Sequence, residues 1–109
     1  MDYQAIEEML QAKGLKAPRV TPTLIDSVIK SEAYYVFPGT HITVCCLTLQ
    51  NGFSVVGESA RVSAADFDAE IGRTVARAHA RDKVWLLEGY LLKQYMSALL
   101  DHFGEPPPA

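Results

Sequence analysis

The sequence predicts an α+β fold: a three-stranded antiparallel meander, a long C-terminal helix packed on it and two short N-terminal helices. Three observations lead to this fold class. The dipeptide Asn51-Gly52 separates two strand-like runs, which is typical of a β-hairpin. Helical spacing of apolar residues continues from about residue 66 to about residue 102. Thr21-Pro22 opens a helix ahead of the strands, because Thr is a favoured N-cap and Pro fits the first helical turn.

The helices have recognisable starts and ends. Asp2 caps a first helix through about residue 12, and Gly14 ends it. The second helix continues from Pro22 to about residue 30. Ser63 is expected to cap the long helix, with Asp66 three residues on in an imperfect capping box.

Three runs are predicted to be strands, at residues 33–37, 41–49 and 53–60. Asn-Gly favours a type I′ turn between the last two, with positive φ at both positions. Both faces of the middle run are apolar, which predicts a helix on one face and leaves the other for a partner subunit. Cys45 and Cys46 point to opposite faces and are expected to be free thiols.

One stripe of the long helix is predicted to face the core. Its members recur at steps of three, four or seven: Ile71, Val75, Ala78, Trp85, Gly89, Leu92, Met96 and Leu99. A helix of about 35 residues is long for a domain of this size. A break between Leu86 and Gly89 is therefore left open.

Chain length, net charge and the lengths of the apolar runs limit the class of protein. The 109 residues indicate a single domain over residues 1–103, with its core at 20–95 and a disordered Pro-rich tail at 104–109. The net charge of −3 does not favour binding to a DNA or RNA duplex. No apolar run is long enough to span a membrane, and the first residues do not resemble a secretory signal. We expect a cytoplasmic protein that does not bind membranes.

Arginines form the most distinctive polar feature. Arg73, Arg77 and Arg81 recur every fourth residue and share one ridge of the long helix, which Arg61 could join. Guanidinium groups bind phosphates and stack on bases, so the ridge could be an anion or nucleotide site. It could equally be a solvated face paired with Glu70 and Asp66. Tyr34 and Tyr35 point oppositely on a strand, so one of them could supply an exposed ring beside the arginines.

The sequence offers little for catalysis. His41, His79 and His102 are scattered and have no spacing typical of a metal site. No serine has a nucleophile-elbow pattern and no Gly-rich phosphate loop is present. The carboxylates at the start of the long helix are explained by the helix dipole. We therefore expect no metal, no cofactor and no enzymatic activity.

Over residues 20–92 the chain resembles a family of small tailed-phage proteins. The matching segments are Val20-Thr21-Pro22, Leu49-Gln50-Asn51-Gly52-Phe53, Gly57-Glu58-Ser59, Phe67-Asp68-x-Glu70-Ile71-Gly72-Arg73, Lys83-Val84-Trp85 and Leu87-Glu88-Gly89-Tyr90. The family is in turn similar to the Thoeris anti-defence sponges of phages. That resemblance implies sequestration, without turnover, of a cyclic nucleotide immune signal, either a cyclic ADP-ribose isomer or a cyclic oligonucleotide.

The resemblance also implies site residues. Arg73 and Arg77 would contact the diphosphate and base, Glu58 or Ser59 would hydrogen-bond ribose or base, and Phe53 could stack from a partner subunit. This sequence departs from relatives at Ala64, where proline is common, in its short loop at residues 38–40, and in a helix that continues past residue 92.

Two further expectations concern partners. Apolar surface on both sheet faces and along the long helix predicts a homodimer or a larger homo-oligomer. The alternative function is a phage interaction module that binds a host or phage protein through the long helix, with no small ligand.

Overall fold

The computed structural model describes residues 3–14, 18–60 and 68–103. The element order is α1 (Tyr3–Ala12), α2 (Pro22–Val28), β1 (Ile29–Val36), β2 (Ile42–Leu49), β3 (Ser54–Ala60) and α3 (Ala69–Phe103). The strands form one antiparallel sheet in the order β1-β2-β3, and α3 packs on β2 and β3. The predicted fold class is therefore confirmed. The expected tail at 104–109, Arg61 and the Ser63 and Asp66 caps lie outside the described residues.

The helix starts follow their capping residues. The Thr21 hydroxyl accepts a hydrogen bond from the Leu24 N–H at 3.1 Å, with Pro22 in the first turn of α2. The Asp68 carboxylate accepts one from the Ile71 N–H at 3.0 Å, so α3 begins at Ala69, later than residue 66. Gly14 has a φ of 68° and follows α1 as predicted.

The junction between α2 and β1 lies earlier than predicted. Helix α2 ends at Val28, and Ile29 already has extended backbone, with φ −84° and ψ 118°. Ile29 pairs with Leu49, and a register shift separates it from Ser31. The β-branched Ile29 and this irregularity bring the chain into the sheet four residues before the predicted strand start at residue 33.

The hairpin between β2 and β3 is present, but the predicted turn type is wrong. Gly52 has a φ of 89°, whereas no described non-glycine residue has a positive φ. The Leu49 N–H bonds to the Phe53 carbonyl at 2.8 Å, and the Gly52 N–H bonds to the Leu49 carbonyl at 2.9 Å. This is the three-residue loop that ends in a left-handed glycine. The Asn51 side chain accepts from the Phe53 N–H at 2.9 Å and stabilises the loop without needing positive φ itself.

The sheet is buried on the face that α3 covers. Strand β2 alternates as expected, with Thr43, Cys45, Leu47 and Leu49 buried and their neighbours half-buried. Cys45 and Cys46 are free thiols on opposite faces, as predicted. The opposite face of β2, with Ile42, Val44, Cys46 and Thr48, has no helix on it among the described elements.

The core stripe of α3 differs from the predicted one. Four residues at intervals of four are buried, and the first three of them are small: Gly72, Ala76, Ala80 and Val84. Ile71 is 47% exposed, and Ala78 and Gly89 are also exposed. A Cβ on Gly57 of β3 would overlap the backbone of Ala76 and Ala80. Because the helix lies this close to the sheet, small residues and not large ones occupy the contact.

Helix α3 is continuous across Gly89 as one element of 35 residues. The break left open between Leu86 and Gly89 is therefore absent. The strands have seven or eight residues, so the sheet is about 25 Å long, whereas α3 is about 52 Å long. The second half of α3 consequently extends beyond the sheet.

Candidate functional site

A cleft lies beside α3, between that helix, strand β1 and helix α2. Its volume is about 600 Å³, which is within the range of small-molecule sites. It is lined by Asp26, Glu32, Tyr34, Glu70, Arg73, Thr74, Arg77, Ala78 and Arg81. The predicted arginine ridge therefore forms one wall of a concave surface.

Arg77 stands at the centre of that wall and is ion-paired with strand β1. Its Nε donates to the Glu32 Oε2 at 2.6 Å, and both side chains are more than a third exposed. The hydrogen bond to the Glu32 carboxylate raises the pKa of Arg77 further above its ordinary value. The pair therefore holds β1 against α3 and supplies a charged guanidinium to the cleft.

Arg81 joins the same wall to helix α2. Its Nε and Nη2 lie 3.2 and 3.1 Å from the Asp26 Oδ1, and Nη2 also lies 3.5 Å from the Pro22 carbonyl oxygen. These contacts fix the start of α2 over α3. Arg81 thus has a structural role whatever the cleft binds.

Arg73 differs from the other two arginines. Within the described ranges it makes no ion pair or hydrogen bond, although it lines the cleft. The adjacent Thr74 hydroxyl donates to the Glu70 carbonyl at 2.9 Å, one helical turn back. Arg73 therefore offers all five of its N–H donors to a ligand or to water.

Tyr34 contributes an aromatic ring to the lining of the cleft. Burial raises the pKa of its hydroxyl to about 12, with smaller contributions from the neighbouring Cys45 thiol and the Glu32 carboxylate. Burial likewise raises the pKa of Cys45. At neutral pH the phenol is therefore protonated and can both donate and accept hydrogen bonds.

The charges that line the cleft are balanced. Three guanidinium groups face three carboxylates, from Asp26, Glu32 and Glu70. The arginines suit phosphate oxygens, whereas the carboxylates accept hydrogen bonds from hydroxyl or amino groups. A ligand that carries one or two phosphates together with several N–H or O–H donors matches this arrangement better than a bare polyanion.

Three other site residues predicted from the sequence, Glu58, Ser59 and Phe53, are not among the residues that line this cleft, and Arg61 lies outside the described residues. Glu58 lines a second, smaller depression of about 390 Å³ together with His79, Asp82 and Lys83. Ser59 is buried, at 5% exposure, opposite Thr43 in the sheet. Phe53 is exposed at the hairpin loop. Within one chain the structure thus brings Arg73 and Arg77 together, but neither Glu58 nor Phe53 with them.

Sequence reasoning missed the acidic half of the cleft. The expected partners of the ridge were Glu70 and Asp66, whereas the observed ones are Glu32 and Asp26. These lie 45 and 55 residues from their arginines, so no helical spacing could reveal them. The sequence offered two candidates for an aromatic ring beside the arginines, and the structure places Tyr34 there. The other candidate, Tyr35, is exposed and makes an edge-on contact with Phe37.

Neither a metal site nor a membrane-spanning helix is present among the described residues. No group of three or more His, Cys, Asp or Glu side chains is placed to hold a metal ion in residues 3–14, 18–60 and 68–103. In the same ranges no helix combines the length and the apolar character needed to cross a bilayer.

The fold and cleft define a small α+β domain with an arginine-lined groove between helix and sheet edge. Comparison with known families places it among viral proteins: residues 20–96 match the phage protein family of N4 Gp49 and phage Sf6 gene 66. The match covers most of the chain, and the protein belongs to this family. No curated protein and no solved structure matches the chain.

Proposed function

We propose that this phage protein is a counter-defence protein that sequesters a cyclic nucleotide immune signal in the cytoplasm of the bacterial host, without turning it over. The ligand class is a cyclic ADP-ribose isomer or a cyclic oligonucleotide. The proposal rests chiefly on one observation: the guanidinium of Arg73, which has no partner among the described residues, lines a cleft of about 600 Å³ beside two further arginines. The resemblance to the Thoeris anti-defence sponges supplies the ligand class.

The lining residues suit the separate parts of a nucleotide. Arg73 takes a phosphate, and Arg77 adds a second contact where the ligand competes with Glu32. Tyr34 offers a ring for stacking and a protonated hydroxyl, while Glu32, Glu70 and Asp26 accept from ribose hydroxyls or base amino groups. Binding without turnover requires only these contacts.

A sequestering protein needs high affinity. Capture of a signal present at low concentration calls for a nanomolar Kd, about −12 kcal/mol. At a ligand concentration one hundred times the Kd, linkage stabilises the folded state by about 2.7 kcal/mol. For a domain of this size the melting temperature should then rise by about 10–20 °C.

The test is a thermal melt with cyclic ADP-ribose isomers and cyclic di- and trinucleotides, each in large excess. A rise with one of them in wild-type protein and its loss in Arg73→Ala supports the proposal. Lys93→Ala is the matched control, because Lys93 is an exposed cation on the same helix outside the cleft. If none of these ligands shifts the melt, the proposal is wrong.

A second measurement separates a sponge from an enzyme. The protein is incubated with the bound nucleotide and denatured by heat, and the released ligand is analysed by chromatography. Recovery of the intact nucleotide supports sequestration. A converted product would replace the proposal with an enzymatic function.

The alternative function, an interaction module without a small ligand, has its own supporting observation. Large apolar side chains of α3 are exposed, including Leu86 at 75% and Tyr90 at 72%. Capture of one host or phage protein in equimolar amount, together with no thermal response to any nucleotide, would favour this alternative.

A further inference from the structure

Carboxylates of the same chain already occupy two of the three arginines that line the cleft. Glu32 accepts a hydrogen bond from the Arg77 Nε at 2.6 Å. Asp26 accepts from two nitrogens of Arg81, at 3.2 and 3.1 Å. Arg73 has no such partner in the described chain. A phosphate can therefore bind Arg73 directly, but it reaches the other two guanidinium groups only in competition with a carboxylate.

The ion pair between Glu32 and Arg77 is open enough for a ligand to enter it. The exposed fractions of the two side chains are 42% and 36%. Solvent screens a pair of this kind, so a ligand displaces the carboxylate at small cost. Arg81 is less accessible, at 23%, and its Nη2 also lies near the Pro22 carbonyl oxygen. Glu32 is therefore the carboxylate that a ligand meets first when it binds beyond Arg73.

The charge of Glu32 also acts on the hydroxyl of Tyr34. Burial is the main cause of the raised pKa of Tyr34, while the Glu32 carboxylate adds to the rise and the Arg77 guanidinium opposes it. Both members of the ion pair thus lie within electrostatic reach of this hydroxyl. Glu70 brings a further carboxylate to the lining. An anion that enters the cleft is consequently attracted by the arginines and repelled by the carboxylates at the same time.

Two kinds of anion meet this arrangement differently. Pyrophosphate has a dense negative charge and few hydrogen-bond donors, so it would displace Glu32 from Arg77 and leave the carboxylate without a partner. A phosphate that carries hydroxyl or amino groups can bind the arginines and donate to the displaced carboxylate. The same carboxylate therefore penalises the first kind of anion and is satisfied by the second.

We propose that Glu32 is a specificity-determining residue of the cleft, which excludes bare phosphate anions and admits phosphates that also carry hydroxyl or amino donors. The inference rests on the proposed function, because it assigns the selectivity of the same site. It accounts for a cleft in which three arginines are matched by three carboxylates. A protein that captures a signalling nucleotide has to ignore inorganic phosphates, which an arginine row without carboxylates would also bind.

The experiment is isothermal titration calorimetry with pyrophosphate, at fixed pH and ionic strength and without divalent metal. The Kd for pyrophosphate should fall at least tenfold from the wild type to Glu32→Gln, which corresponds to about 1.4 kcal/mol. The amide oxygen of glutamine still accepts from Arg77, so circular dichroism should show an unchanged fold. Glu32→Ala removes the carboxylate in a second way and should give the same gain. Adding Arg77→Ala to Glu32→Gln should cancel it.

Ribose 5-phosphate tests the second half of the proposal, because it adds hydroxyl donors to a phosphate. Its affinity should increase less than that of pyrophosphate in Glu32→Gln, since the substitution also removes an acceptor for those hydroxyls. An equal increase for the two probes would mean that Glu32 only repels charge, and the proposed selectivity would be wrong.

Asp82→Asn is the matched control. Asp82 is an exposed carboxylate on the same helix, and it lines the second depression and not the cleft. Its loss changes the net charge equally and should leave pyrophosphate binding unchanged. A gain as large as that of Glu32→Gln would assign the effect to net charge and overturn the inference.

Equal pyrophosphate affinity of the wild type and Glu32→Gln, including no measurable binding by either, also overturns the inference. None of these readouts involves a cyclic nucleotide, so the two proposals fail separately. A selective gain of pyrophosphate binding in Glu32→Gln, together with no response of the wild type to any cyclic nucleotide, would retain the role of Glu32 and reject the proposed ligand.

Discussion

Gly57 of β3 lies directly against the backbone of Ala80 in α3. The contact leaves no space for a Cβ at position 57, because that atom would overlap backbone atoms of Ala76 and Ala80. A flexible side chain could move aside, but a helix backbone cannot do so without shifting the whole of α3. At this distance between the two layers, position 57 therefore has room only for glycine.

Gly57→Ala should destabilise the protein by about 3 kcal/mol, because the substitution overpacks a contact between two backbones. Gly89→Ala is the matched control within α3. An added Cβ at Gly89 meets no atom within 4 Å apart from its chain neighbours and the backbone of its own helix turns, so alanine should stabilise the helix by about 0.5–1 kcal/mol. Denaturant unfolding should therefore show a lower free energy of unfolding for Gly57→Ala and a higher one for Gly89→Ala. A Gly57→Ala variant as stable as wild type would show that the helix can move away freely.

The contact between Gly57 and Ala80 also explains why the sequence predicted the strand pattern but not the buried side of α3. The predicted division of β2 residues between two faces is confirmed, because one strand follows one period regardless of its neighbours, but the sequence did not show which face α3 covers. The predicted core stripe of α3 is wrong at Ile71, because hydrophobicity favours large residues, whereas the close approach of helix and sheet selects small ones such as Ala76 and Ala80. The distance between layers is set by tertiary packing and has no local signature.

The cleft shows the corresponding limit for the site. The spacing of Arg73, Arg77 and Arg81 follows from helix geometry and was predictable. The carboxylates that pair with two of them come from β1 and α2, whose positions beside α3 depend on the whole fold. The sequence alone therefore predicts the row of arginines. The carboxylates that balance their charge are identified only from the structure.

The ion pair between Arg77 and Glu32 should contribute modestly to stability. Both side chains are partly exposed, so solvent screens the attraction between them. We expect a coupling free energy of about 0.5–1 kcal/mol in a double-mutant cycle with Arg77→Ala and Glu32→Ala, measured by urea unfolding. A coupling of zero would mean that the pair does not hold β1 to α3.

Alkaline pH should weaken the fold through Tyr34. Its pKa in the folded state is about 12, above the ordinary value of 10.0, because burial disfavours the phenolate. This contribution to the free energy of unfolding is therefore complete below pH 10 and decreases as the pH rises from 10 towards 12. Tyr34→Phe should flatten the decline measured by urea unfolding across that range. Tyr35→Phe controls for the loss of a tyrosine hydroxyl, and an unchanged decline in Tyr34→Phe would contradict the assignment.

Acid should release α1 through Glu7. Arg19 donates to both Glu7 carboxylate oxygens, at 3.0 and 2.6 Å, and Gln11 donates to one of them at 3.1 Å. The hydrogen bond from Arg19 lowers the pKa of Glu7 below its ordinary 4.5. The stabilisation is therefore present above pH 4.5 and is lost as the pH falls through the lowered folded-state pKa.

Hydrogen exchange of the α1 amides should report this loss, since the pair joins α1 to the segment before α2. Glu7→Gln should show faster exchange in α1 already at neutral pH, with the sheet amides unchanged. Glu8→Gln is the matched control, as Glu8 is an exposed neighbour on the same helix. Equal exchange in the two variants would show that the ion pair does not fix α1.

Arg73 and Arg77 should separate binding from stability, because one is unpaired in the described chain and the other is paired with Glu32. Arg73→Ala should change the free energy of unfolding by less than about 0.5 kcal/mol but weaken nucleotide binding at least tenfold, by the loss of charge-assisted hydrogen bonds. Arg77→Ala should lower both stability and affinity. Isothermal titration beside urea unfolding of each variant measures the two effects. If Arg73→Ala binds as tightly as wild type, the cleft is not the nucleotide site, even where another part of the protein binds the ligand.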